Sequence, residues 1–129
     1  MNFSLSKEDR LCSRKDIEAL FLHGNSSFIY PFKVQWKISD NQKQQIKIAF
    51  SVPKKIFKRA NKRNLIKRRM REAYRLSRHS LVNELSTRDI KLQLLLIYIS
   101  PQVLNFYEID RKIKILLDTL RTEIQKSAG

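Results

Sequence analysis

The 129-residue chain has one cysteine, two glycines and three prolines. A lone cysteine forms no intramolecular disulfide and no thiolate metal cluster, so Cys12 reads as a reduced, inert thiol. Scarce glycine and proline exclude a flexible linker and favour regular elements joined by short turns. One domain spanning 1–129 with a single core is expected, with 1–12 as a flexible N-terminal segment and 127–129 as a frayed C-terminus. No apolar run approaches the roughly 18–20 residues of a transmembrane helix. Lys7, Glu8, Asp9 and Arg10 stand where a secretory signal would be apolar. The expected location is therefore the cytoplasm. Acids are the scarcest class relative to their counterpart: twelve Asp and Glu face twenty-seven Lys and Arg, a net charge of +15. An excess of that size implies a polyanionic partner.

Hydrophobic residues make up 42% of the chain, enough for a packed interior. Ser13 and Asp16 fit a capping box, and Ile17, Leu20 and Phe21 follow at helical spacing. A short helix over about 14–22 is expected, with Gly24 as a left-handed stop. Phe32, Val34, Trp36 and Ile38 alternate with polar residues, as do Ile46, Ile48, Phe50 and Val52. With the turn chemistry of Ser39-Asp40-Asn41-Gln42 between them, they read as an antiparallel hairpin with one buried face. Pro31 suits a strand start or an edge. Residues 92–99 are nearly all apolar and suit a central strand covered on both sides. Asn105 and Glu108 resemble a second cap, and Ile109, Ile113, Leu116, Leu117, Leu120 and Ile124 form one stripe of a helix over about 106–126. The order is helix, strand, strand, helix, strand, helix. Strand order does not follow from this pattern.

The most informative segment runs from Lys54 to Arg78. It holds twelve basic residues and one acid, Glu72, and so carries +11 of the net charge. From about Lys58 the pattern is helical. At 100° per residue, Ile66, Met70, Ala73 and Tyr74 share one face, with Leu65 and Leu76 at its edge. Asn64, Lys67, Arg68, Arg71, Arg75 and Arg78 gather opposite, with Glu72 towards the edge and no other carboxylate near. An ordinary solvated helix alternates its signs. This one relieves its self-repulsion only against phosphates. The apolar face is needed for a core, which disfavours a lipid-surface helix. Arginine's planar fork suits bidentate phosphate contact and stacking on splayed bases, which leans towards RNA.

Catalytic constellations are missing. His23 and His79 stand far apart in the sequence and form no catalytic pattern; His23 beside Gly24 suits a helix terminus. No HExxH, DxD, GxSxG or Walker pattern occurs. Asp9, Asp16, Asp40, Asp89 and Asp110 are scattered, whereas a protein-only nuclease needs convergent carboxylates for its metals. Any hydrolysis associated with this chain is expected to be performed by something else.

Two blocks carry a family resemblance. Ser51-Val52-Pro53-Lys54-Lys55-Ile56 and Ala60-Asn61-Lys62-Arg63-Asn64-Leu65-Ile66-Lys67-Arg68-Arg69 resemble the signature of the bacterial ribonuclease P protein. In that signature a strand ends in Ser-Val-x-Lys-Lys, and Ala-x-x-Arg-Asn-Arg-x-Lys-Arg opens a basic helix. Arg10-Leu11, the Ile17/Leu20/Phe21 spacing and His23-Gly24 also match, and the resemblance covers about residues 9–126. It implies an α/β (α+β) two-layer sandwich, with one mixed sheet of about four strands, three helices and a left-handed βαβ crossover. The fourth strand would be a short pairing near residues 27–30. It implies a ribonucleoprotein whose RNA subunit is the catalyst. That enzyme uses magnesium held mainly by the RNA to remove the 5′ leader of precursor tRNA. Its partners are the ribonuclease P RNA and precursor tRNA, with no membrane or protein partner.

By position, Arg63, Asn64, Lys67 and Arg68 match the signature that faces the catalytic RNA. Arg59, Lys62, Arg71 and Arg75 are expected to join them. Ile17 and Phe21 match first-helix positions lining a leader cleft, with Lys54 and Lys55 beside it, although core packing explains Phe21 equally well. There are three departures from the family pattern. Leu65 replaces an arginine, Ile17 is aliphatic where an aromatic is common, and Ile99-Ser100 replaces Arg-Lys, which removes an expected phosphate contact. Two other classes compete. A structural RNA-binding protein would share the charge, size and fold, and lacks only the Lys62–Arg69 block. A DNA-binding regulator would need a helix–turn–helix partner.

Overall fold

The computed structural model describes residues 9–11, 13–40 and 42–128; Cys12 and Asn41 lie outside them. Among the described residues eight elements follow in order: α1 (Arg14–His23), β1 (Asn25–Ile29), β2 (Phe32–Ile38), β3 (Ile46–Ser51), α2 (Ala60–Ser77), α3 (His79–Thr87), β4 (Leu92–Tyr98) and α4 (Phe106–Ala128). The α+β class and the mixed four-stranded sheet are as expected. Among the described residues the helix count is four rather than three.

The extra helix is α3. Arg78 keeps right-handed helical angles, so the chain turns without a breaker and continues helically. Leu81 and Leu85, one turn apart, are buried. Ser80, Asn83, Ser86 and Thr87 give the segment little intrinsic helicity, so tertiary packing stabilises it. It ends through Asp89 at φ 54, with the Ile90 N–H donating to the Leu85 carbonyl at 2.9 Å. Aspartate tolerates this left-handed conformation better than most residues.

Gly24, expected to be left-handed, is instead extended at φ −79 and ψ 167. Its glycine identity follows from close approach. A Cβ there would meet the Leu20 carbonyl oxygen at 2.4 Å and that of Trp36 at 3.1 Å. The caps hold as read: the Asp16 N–H donates to Ser13 Oγ at 3.3 Å, and the Glu108 N–H to Asn105 Oδ1 at 2.9 Å.

The sheet order is β1-β2-β4-β3. β2 and β3 run in opposite directions but are not neighbours, which corrects the expected hairpin. β4 inserts between them, antiparallel to β2 and parallel to β3. Both original strands have one buried face, and periodicity says nothing about which edge pairs with which. The hairpin in the fold is β1–β2, with Asn25 opposite Trp36 and Phe28 opposite Lys33. The short strand expected near 27–30 is therefore β1. β4 is buried along its whole length, as a central strand should be.

The two faces are covered unequally. Phe32, Val34, Trp36, Ile48, Leu92, Leu94, Leu96 and Tyr98 point into the main core with α2, α3 and α4. On the other face α1 covers a small core of Leu11, Leu20, Leu95 and Ile97, joined by Ile17, Ala49 and Ile99. Residues 9–11 belong to this fold rather than to a loose tail. The Leu11 N–H donates to the Ile48 carbonyl at 2.8 Å, and Arg10 bridges β3 in parallel. At the other end α4 continues to Ala128, past the boundary expected at 126.

Candidate nucleic-acid interface

α2 is positioned by its apolar stripe. Ile66, Met70, Ala73 and Tyr74 are its buried residues, as the 100° spacing predicts. Burying each large side chain contributes about 1.5–3 kcal/mol, enough to fix the rotation of the helix. That rotation aims Lys67, Arg68 and Arg71 away from the core. Among the described residues no carboxylate pairs with any of these three. Lys67 and Arg71 line a shallow recess with Arg10 and the β3 residues Ile48, Ala49 and Phe50, so the basic surface continues onto the sheet edge. Asn64 and Arg68 are exposed beside it, and Arg59 and Lys62 are exposed at the helix start. The first turn of α2 contains no acid, although a helix N-terminus favours negative charge. The helix thus begins against its own dipole, a cost that an external anion would relieve.

Other cations of the same helix are directed back into the protein. Arg63 Nη1 donates to the carbonyls of Phe57 and Lys58, both at 2.8 Å, and holds the turn that leads into α2. Arg69 Nη1 donates to the Leu104 carbonyl at 2.6 Å, which ties α2 to the segment before α4. Arg78 pairs with Asp9 at 3.7 Å. Arg75 pairs with Glu72, its Nε 3.0 Å from Oε2. The hydrogen bond from Arg75, reinforced by its charge, holds the Glu72 carboxyl below its ordinary value. This corrects the expectation that Glu72 leaves the face un-neutralised. Glu72 and Arg75 lie three apart, within reach across one turn, so the un-neutralised set narrows to Lys67, Arg68 and Arg71. Arg63 and Arg75, expected among the RNA contacts, already hold protein partners.

A second candidate surface lies on the α1 side of the sheet. Ile17 packs into the small core. Phe21 is 54% exposed, which removes core packing as its explanation. Lys54 and Lys55 are exposed in the turn after β3, where the N–H groups of Ile56 and Phe57 both donate to the Pro53 carbonyl.

The strands add residues that the sequence reading did not single out. Lys33, Lys37 and Lys47 are the only charged residues in the four strands. All three fall on the α1 face, because their neighbours Phe32, Val34, Trp36, Ile46 and Ile48 point the other way. The register places Lys37 and Lys47 on either side of Gln93. Phe28 on β1 and Tyr30 in the turn after it are also exposed. The alternation that marks the core in β2 and β3 already implies the lysine face. Phe28 and Tyr30 could not be placed without the limits of β1. Ser100 is buried and accepts hydrogen bonds from Tyr30 Oη at 3.0 Å and the Gln102 N–H at 3.1 Å, so its side chain serves the loop.

Among the described residues no group of three or more His, Cys, Asp or Glu side chains could hold a metal ion. Among those described residues the donors do not come together as a magnesium site. No helix is long and apolar enough to cross a membrane among those residues.

Comparisons with known proteins agree with one another. The family model described as Ribonuclease P matches residues 5–121. A protein of Porphyromonas gingivalis strain ATCC 33277, named ribonuclease P protein component, is 34% identical over 127 residues, spanning 98% of this chain and 93% of the relative. A protein of the same name from Desulfosudis oleivorans is 40% identical over 81 residues, 63% of this chain and 64% of that protein. The fold is similar to the Staphylococcus aureus RNase P protein, with a TM-score of 0.72 at 19% identity over 87% of this chain and 94% of that one. It is also similar to the RNase P protein from Thermotoga maritima, with a TM-score of 0.65 at 22% identity over 84% and 94%.

Proposed function

The chain belongs to the ribonuclease P protein family, and from that premise we propose how its two basic surfaces divide the work of the ribonucleoprotein. As the protein component it associates with ribonuclease P RNA and acts in tRNA 5′ processing. In our reading the α2 face, centred on Lys67, Arg68 and Arg71 with Asn64, Lys62 and Arg59 beside it, docks on the catalytic RNA. The surface between α1 and the sheet, with Phe21, Ile17, Lys54 and Lys55, takes the single-stranded 5′ leader of precursor tRNA in the cytoplasm. The RNA performs the phosphodiester hydrolysis and holds the magnesium. The protein supplies cations that offset phosphate repulsion, and a platform that orients the leader.

One observation carries this assignment. Among the described residues Lys67, Arg68 and Arg71 gather on one face of α2 with no carboxylate partner, while the exposed rings Phe21, Phe28 and Tyr30 belong to α1 and the β1 edge, around a sheet whose strands contain no acid. A folded RNA offers phosphates to the first surface. Only unstacked bases suit the second.

The test measures affinities of the reconstituted enzyme for precursor tRNAs of increasing leader length and for mature tRNA. Adding the protein should tighten precursor binding far more than mature tRNA binding, with a gain that levels off after several leader nucleotides. Phe21→Ala should reduce that gain by about 1–3 kcal/mol, the value of one base–aromatic stack, while leaving affinity for the catalytic RNA nearly unchanged. Equal improvement for mature and precursor tRNA would make the protein a scaffold that does not read the leader.

A further inference from the structure

Exposed apolar side chains are concentrated in one short stretch. Among the described residues eight large hydrophobics are exposed, and four of them, Phe21, Leu22, Phe28 and Tyr30, fall between residues 21 and 30. Scattered exposed apolar residues need no explanation, but a cluster rimmed by charge marks a contact surface. Phe28 is the least accounted for. It is 63% exposed on β1, the outer strand of the sheet. Its neighbours fix its direction. Ser27 Oγ donates to Glu123 Oε2 of α4 at 2.5 Å, and Ile29 packs against the main core. Phe28 must therefore project to the opposite face, where α1 and the strand lysines lie.

There it stands directly across from Lys33, its registered partner on β2. Cross-strand partners hold their Cβ atoms about 4.5–5.5 Å apart, so an aromatic ring and an ammonium rise from the sheet side by side. Lys33 has no ion-pair partner among the described residues. A nucleotide presents this same pair of features, a flat base beside a phosphate.

We infer that Phe28 and Lys33 form a second nucleotide station on the β1–β2 edge, separate from Phe21, which stacks one further unpaired base of the RNA strand and contacts its phosphate. The station rests on the leader reading above and extends it. Phe21 on α1 and Phe28 on β1 then engage two different leader nucleotides, so that the sheet edge contributes to how many nucleotides the protein senses. The chemistry is sequence-tolerant, since every base has a stacking face. An acidic protein segment would satisfy the lysine but not require a flat partner. A duplex would hide its bases from both rings.

The experiment uses the enzyme reconstituted from the full protein and its RNA, with precursor tRNAs carrying a single abasic residue at each leader position in turn. Wild type should show two sensitive positions, each losing about fivefold or more in affinity. Phe28→Ala should abolish the penalty at one of them and Phe21→Ala at the other, while Phe28→Tyr keeps both. Lys33→Ala should weaken every leader by a similar factor and lower the salt dependence, with no positional signature. Circular dichroism confirms folding, which an exposed position should not disturb. If Phe21 governs one position and Phe28→Ala leaves the whole profile unchanged, the second station is overturned and the leader reading stands. If no abasic position matters and precursor is bound no better than mature tRNA, the leader reading fails with it. A free wild-type protein that sediments as a dimer and becomes monomeric on Phe28→Ala would instead assign this edge to a second copy of the chain.

Discussion

Arginine does two jobs along α2. Arg63 and Arg69 donate to backbone carbonyls of neighbouring segments, and Arg75 and Arg78 pair with Glu72 and Asp9. Lys67, Arg68 and Arg71, on the same helix, have no such partner among the described residues. Composition alone cannot separate the two groups, because each is a cation on a largely exposed helix. Position separates them. Arg63, Arg69 and Arg78 sit where the helix meets another segment, at its ends and along the flank that meets the 99–105 loop, and Arg75 is held across one turn by Glu72. The untied three occupy the outer face of its middle. The first group makes α2 a fixed platform, and the second makes the platform useful to a polyanion.

The largest expected effect tests the untied group. Changing Lys67, Arg68 and Arg71 together to Ala should weaken binding to the catalytic RNA by about 3 kcal/mol, at roughly 1 kcal/mol per lost phosphate contact. The slope of log affinity against log salt should become shallower by about 2–3. The urea midpoint should hold or rise, since like charges are removed from a face outside the core. Unchanged affinity and salt slope would remove this face from the interface.

A smaller and opposite pattern is expected for the tied group. Arg69→Ala deletes a charged donor to the Leu104 carbonyl and should cost about 1.5–3 kcal/mol of stability. RNA affinity of the folded variant should stay within about threefold of wild type. Arg63→Ala, which removes donors to the Phe57 and Lys58 carbonyls, should behave alike. Denaturant titration and salt-dependent binding on the same samples separate the two jobs. If Arg63→Ala instead lowers affinity as much as the outer-face changes without loss of stability, its hydrogen bonds to the turn are incidental and the division collapses.

The same contrast explains what the sequence could convey. Periodicity placed Ile66, Met70, Ala73 and Tyr74 in the core because burial depends on angle around one helix. It could not show that Arg75 belongs to Glu72, because on a map of angles Glu72 is merely an edge residue. Which rotamer closes across one turn is settled by side-chain geometry. In the sheet, alternation identified the buried faces of β2 and β3, but edge pairing is a long-range choice, and β4 arrives more than forty residues after β3 begins to take the place between them. α3 was hidden because polar residues of low helicity surround the two leucines that anchor it. Gly24 was recognised as necessary for the wrong reason: a side chain there would crowd the Leu20 carbonyl of the last turn of α1, and the Trp36 carbonyl closes in once α1 has been laid over β2. Phe21 was ambiguous at helical spacing, and its exposure shows that it is not a core residue.

The smallest effect concerns the one carboxylate on the basic helix. Glu72 holds Arg75 within the protein, so Glu72→Gln should release that guanidinium toward the neighbouring outer face. RNA affinity should rise by no more than about fivefold, the value of one added phosphate contact, and the salt slope should steepen by about 1 or less. Stability should fall slightly, because the pair is exposed and surface ion pairs contribute little. The pH dependence has a definite sign. The hydrogen bond from Arg75 lowers the Glu72 pKa in the folded state, so the folded state binds fewer protons there than the unfolded chain. The stabilisation is therefore present above the ordinary glutamate value of about 4.3. It is lost as pH falls through the lowered folded value. Thermal melts of wild type and Glu72→Gln should differ slightly at neutral pH, and the gap should close in the acid range. A gap that persists even where wild-type Glu72 is fully protonated would mean that the substitution acts through helix packing instead of the ion pair. An unchanged RNA affinity at pH 7 would show that Arg75 is held in place by more than Glu72, and would move it firmly into the structural group.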